Sequence, residues 1–84
     1  MTSRTVVIRA EGGAHARPVA ELVRLAMAHP EPVGLTTAEG RRVDLGSVLA
    51  VMDLALVPGD AVVLTAEGPG ADDLLDALAK VLDG

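Results

Sequence analysis

Short β-branched runs alternate with stretches of helical spacing, and this alternation constrains the 84-residue chain more than any other feature. Thr5 to Ala10 is rich in β-branched residues and is bounded by Glu11-Gly12-Gly13, which predicts a strand. From Ala16 the apolar positions Val19, Leu22, Val23 and Ala26 recur at helical spacing, and His29-Pro30 ends the pattern. Val33 to Thr37 and Arg41 to Leu45 predict two strands joined through Ala38-Glu39-Gly40. Ser47 stands where an N-cap belongs, ahead of a short helix from Val48 to about Leu54. Pro58-Gly59-Asp60 predicts a turn, Ala61 to Ala66 a strong strand, and Gly68-Pro69-Gly70 another turn. The last segment places Ala71, Leu74, Leu75, Leu78 and Leu82 on one helical face, against Asp72, Asp73, Asp76, Lys80 and Asp83. The order βαββαβα is an α+β class in which helices can cover one face of a four-stranded sheet. It fits other split βαβ arrangements as well, ferredoxin-like ones among them.

The expected unit is a single domain over residues 1–84, near the size where one core is only marginally adequate. There is no aromatic residue, so the core must be built from Val, Leu, Ile, Ala and Met. No cysteine is present, which excludes a disulfide staple and a thiolate metal site. His15 and His29 are too far apart in sequence, with no third ligand in register, to suggest a metal centre. His29, just before Pro30, suits the donor role that helps a helix C-terminus. The apolar runs fall far short of the roughly 20 residues of a membrane span. Met1-Thr2-Ser3-Arg4 leads into a strand without a signal-peptide core, so a cytoplasmic protein with no membrane insertion is expected.

Charge narrows the function further. A net charge of −5 argues against nucleic-acid binding, which depends on Lys and Arg neutralising phosphates. With no Phe, Tyr or Trp, stacking of bases on their rings is excluded too. Six Arg and four acids lie in residues 1–42, whereas residues 43–84 hold one Lys and eight acids. The half that contains His15 is therefore the basic one and can attract an acidic partner despite the overall sign.

Gly12-Gly13-Ala14-His15-Ala16-Arg17-Pro18 concentrates the chemistry. Two glycines free the backbone to turn, and Pro18 suits a first helical turn. An imidazole and a guanidinium are thereby placed beside unpaired backbone N–H groups, a ready anion site. The helix dipole and the Arg17 charge both disfavour an imidazolium, which leaves His15 a neutral nucleophile near pH 7. Its cargo should be anionic, and a phosphoryl group fits. Arg24, two helical turns past Arg17, could meet an acidic partner surface or sit solvated near Glu21.

Ala14-His15-Ala16-Arg17-Pro18 resembles the active-site signature of the HPr family, the histidine phosphocarriers of the bacterial sugar phosphotransferase system. Val43 to Leu54 resembles the same family's regulatory-serine segment, and the likeness extends over nearly the whole chain. The resemblance implies an open-faced β-sandwich, a four-stranded antiparallel sheet with three helices on one face. It implies a non-enzymatic carrier with no cofactor or metal. His15 would take a phosphoryl group on Nδ1 from enzyme I, charged by phosphoenolpyruvate, and pass it to an EIIA-type sugar-transport subunit. Arg17 would neutralise the phosphate, and the Ala16 and Arg17 amides would cradle its oxygens. Ser47 corresponds to the regulatory serine, and Val48, Leu49, Met52 and Ala55, with Arg24, would form the docking patch on a monomer. A regulatory docking module is the alternative from another class. A third is a carrier in a dedicated relay, serving a dihydroxyacetone kinase or a nitrogen-linked branch. Gly12, Ala14 and Gly46 depart from the residues usual in the family.

Overall fold

The computed structural model describes residues 1–9 and 16–84 and, for Ala16 and Arg17, only their place in a helix. Its elements run β1 (Thr2–Val7), α1 (Ala16–Ala28), β2 (Val33–Thr37), β3 (Arg42–Asp44), α2 (Val48–Asp53), β4 (Ala61–Ala66) and α3 (Ala71–Asp83). The strands form one sheet in the order β1-β4-β2-β3, with every neighbouring pair antiparallel. Strand pairing lines up Arg4, Leu64, Leu35 and Val43 across the sheet, and Leu64 and Leu35 are fully buried. This is the face the helices cover. One residue along, the row Thr5, Val63, Thr36 and Arg42 lies on the opposite, open face, because side chains alternate along each strand.

The helices present the apolar positions their spacing requires. Val19, Leu22, Val23 and Ala26 of α1 meet Ala71, Leu75, Leu78 and Leu82 of α3, while Val51 anchors the short α2. All of these are aliphatic, so the core relies on close interdigitation of Leu, Val, Ile and Ala. Asp72 and Asp73 occupy the first turn of α3 and Lys80 its last, in keeping with the helix dipole. At the exposed edge of the sheet, Arg4 points toward the helical side and is held by Asp76 of α3. An inward charge on an edge strand discourages pairing with a second chain.

Two strands differ from the sequence expectation in where they begin and end. β1 runs Thr2–Val7, not Thr5 to Ala10, because its six residues pair in register with Ala66 back to Ala61. Past Ile8, whose N–H still bonds the Asp60 carbonyl, the Arg9 N–H turns to the Leu82 carbonyl of α3. Ala10 lies outside the described residues. β3 is trimmed to Arg42–Asp44, although the Leu45 N–H still bonds the Val33 carbonyl and the Arg41 carbonyl accepts from Thr37. Both ends sit where the chain begins to turn, so the flanking bonds persist while the regular ladder stops.

Among the described residues, one non-glycine takes a costly conformation. Ala55 has φ 52°, the left-handed region, just after the end of α2. For a non-glycine this conformation costs roughly 1–2 kcal/mol. It reverses the chain so that Leu56 drops into the core while Val57 stays exposed.

Candidate functional site

The site is organised by the start of α1. That helix begins at Ala16, so His15 immediately precedes its first residue, and Pro18 falls in the opening turn. The early amides of a helix have no intrahelical acceptor and carry its positive end. His15 and the side chain of Arg17 lie outside the described residues, as do Gly12 and Ala14.

Arg24 stands on the exposed side of α1 and is bound to Glu21. Its Nε donates to Glu21 Oε2 at 3.1 Å, and Nη2 donates to Oε1. The hydrogen bonds from Arg24 hold the Glu21 carboxyl below the usual carboxylate range, and the same contacts raise the pKa of Arg24. The structure thus places Arg24 in an ion pair with Glu21 on the exposed side of α1.

Ser47 adopts an extended backbone (φ −113°, ψ 110°) and caps α2, its Oγ accepting from the Ala50 N–H at 3.2 Å. An adjacent turn prepares this position, since Asp44 Oδ1 accepts from the Gly46 N–H at 2.7 Å. Removing the cap by Ser47→Ala should cost about 1 kcal/mol of stability, measurable as a lower urea midpoint with an unchanged slope. An unaltered midpoint would show that the hydroxyl is not holding the helix.

Beyond the cap, α2 turns Val51 inward and leaves an apolar surface. Leu49 is 81% exposed, Met52 43% and Val48 40%, and Ala55 is exposed too. Asp53, at the end of α2, accepts from Arg41 Nη2 at 2.7 Å, which ties the β2–β3 connection to this helix. That ion pair was not anticipated from sequence, because twelve residues and a change of element separate its members. Val57, two residues past the left-handed Ala55, is a further exposed apolar residue and was likewise missed.

His29 plays a structural part. Its Nε2 lies 2.6 Å from the Glu67 carbonyl oxygen; a carbonyl only accepts, so this nitrogen donates. The bond joins the end of α1 to the connection between β4 and α3, whereas the sequence suggested only support for the helix terminus. Among the described residues no group of His, Asp and Glu could hold a metal ion, and no helix is long and apolar enough to cross a membrane. A cleft of about 640 Å³ between β1 and α3 is lined by Arg4, Arg9, Asp76 and Asp83, whose charges pair with each other.

Comparisons with known proteins agree with this architecture. The family model PTS-HPr, described as the PTS HPr component phosphorylation site, matches residues 2–83. The phosphocarrier protein HPr of Streptomyces coelicolor is 38% identical over 82 residues, spanning 98% of this chain and 88% of that protein. That of Vibrio cholerae is 34% identical over 83 residues, spanning 99% and 96%. A crystal structure of HPr from Thermoanaerobacter tengcongensis superposes with a TM-score of 0.88 at 28% identity, covering 99% of this chain and 92% of that one. The fold is thus the open-faced sandwich, and the ferredoxin-like alternative falls away. The chain belongs to the HPr family, the phosphoryl carriers of the phosphotransferase system, and is a carrier rather than a catalyst.

Proposed function

We propose that His15 accepts a phosphoryl group on Nδ1 from enzyme I, charged by phosphoenolpyruvate, and donates it to an EIIA-type subunit in the cytoplasm. The observation that carries this reading is the start of α1 at Ala16, directly after the histidine. The lone pair of Nδ1 forms the new N–P bond as the donor's bond to phosphorus breaks. Delivery to the acceptor reverses these roles. Arg17 neutralises the phosphoryl oxygens, and the Ala16 and Arg17 amides, at the positive end of α1, donate to them. Transfer of this kind needs mainly positioning and charge stabilisation, and the partner can supply part of both.

The exposed α2 surface supports docking of a partner on this face, which the protein would meet as a monomer. Val48, Leu49 and Met52 offer contiguous apolar area beside a capped helix start. Phosphate on Ser47 would add about −1.5 to −2 charges at the head of that surface and so oppose docking.

The test follows labelled phosphate from phosphoenolpyruvate through enzyme I to the carrier and on to an EIIA-type subunit. Transfer to the subunit should occur with the wild-type chain. Leu49→Asp should raise the KM for the carrier at least about tenfold, the effect of losing roughly 1.4 kcal/mol of docking, without changing thermal stability. A carrier that takes up label but never passes it on would instead favour a regulatory docking module.

A further inference from the structure

We infer that Arg41 is a positioning residue for partner docking: it supplies the cation that the end of α2 lacks and fixes that helix to the sheet. The inference deepens the docking part of the carrier reading above and rests on it.

Helix α2 needs support from outside itself. Six residues are too few to hold a helix on their own, and Val51 is its one buried side chain. Ser47 caps the start, but the other end is unfavourable by sequence. Asp53 is the last helical residue, so a carboxylate meets the negative end of the dipole, and the last turn holds no base. Met52, one of the docking positions, directly precedes it.

Arg41 supplies what this end lacks. Its Nη2 donates to Asp53 Oδ2 at 2.7 Å, the length of a charge-assisted bond. The guanidinium also springs from a fixed base. The Arg41 carbonyl accepts from the Thr37 N–H at 2.8 Å, and the Arg41 N–H donates to Thr37 Oγ1 at 3.1 Å. Thr37 is buried at the end of β2. A chain of bonds therefore runs from the sheet through Thr37 and Arg41 to Asp53, and secures the helix that presents Val48, Leu49 and Met52. Both charged groups are largely exposed, so the tie is modest and sensitive to salt. It suffices because an element with one buried side chain opens at low cost.

Arg41→Gln, Asp53→Asn and the double variant test this, with Arg41→Lys as the conservative change. The first readout is amide hydrogen exchange in the free carrier, which needs no partner. The Leu54 and Ala55 N–H groups bond the Val51 and Met52 carbonyls. They should exchange about two- to fivefold faster in Arg41→Gln, while the amides of β4 stay unchanged. The second readout is the KM for the carrier in transfer to an EIIA-type subunit. Arg41→Gln should raise it about two- to fivefold without changing kcat, and Arg41→Lys should lie near wild type. In the Asp53→Asn background, Arg41→Gln should add nothing, since Arg41 acts through Asp53. A further rise in KM there would overturn the inference, because Arg41 would then touch the partner itself. So would unchanged exchange at Leu54 and Ala55 in Arg41→Gln, or an unchanged KM where Leu49→Asp still raises it. If Leu49→Asp leaves KM unmoved as well, the docking reading itself fails, whatever the exchange rates show.

Discussion

His15→Ala is expected to abolish phosphate incorporation from phosphoenolpyruvate and enzyme I, with the intact mass remaining that of the unmodified chain. Only two histidines are available. His29 cannot substitute, because it sits at the far end of α1 and spends Nε2 on the Glu67 carbonyl. The wild-type adduct should be labile in acid and stable in alkali, as a phosphoramidate bond requires, which separates it from a serine ester on Ser47. Arg17→Ala should retain the adduct but form it more slowly, since the nucleophile survives while charge neutralisation is lost. Incorporation that persists in His15→Ala would move the acceptor elsewhere and dismiss the proposed mechanism. Mass spectrometry on the two variants, alongside the wild type, decides the matter.

The largest effect on stability should come from the centre of the sheet. Leu64 is fully buried in β4, between β1 and β2 and beneath the helices. Leu64→Ala removes its packing and leaves a cavity that an all-aliphatic core fills poorly, at a cost of about 2–5 kcal/mol. Domains of this size hold only about 5–15 kcal/mol in total, so a large share of stability disappears. A loss near 3 kcal/mol should lower Tm by roughly 12–24 °C. Leu49→Ala is the matched control, as its side chain already faces solvent and should change stability by less than about 0.5 kcal/mol. Equal destabilisation by the two would contradict the burial pattern.

Much of this architecture was legible in the chain. Among the described residues of α1, the four buried positions were those its spacing named, and α3 buries Ala71, Leu75, Leu78 and Leu82 with Leu74 partly covered. Helical periodicity survives folding because the core accepts only one stripe of each helix. Strand ends were less legible, since β1 is shifted toward the N-terminus, where it pairs with the whole of β4, while the Leu82 carbonyl takes the Arg9 N–H. Antiparallel pairing throughout the sheet was not deducible from periodicity and came only through the family resemblance.

The candidate site divides in the same way. Ser47 as a cap was readable from one polar residue before an apolar run, and the structure bears it out. Arg24 remained ambiguous because Glu21 and a partner surface satisfy a guanidinium equally well on paper. The Arg41–Asp53 pair had no local signal, since contacts between elements depend on how the chain returns.

Local chemistry settled what the amino-acid sequence could determine alone: the order of elements, the aliphatic make-up of the core, and a histidine ahead of a helix start. Each depends on near neighbours, whose spacing is written in the chain. Tertiary structure decided the strand order β1-β4-β2-β3, the outward face of α2 and the closure of Arg41 on Asp53. These depend on long-range packing, in which the burial of one shared core selects among pairings that local preference leaves nearly equal.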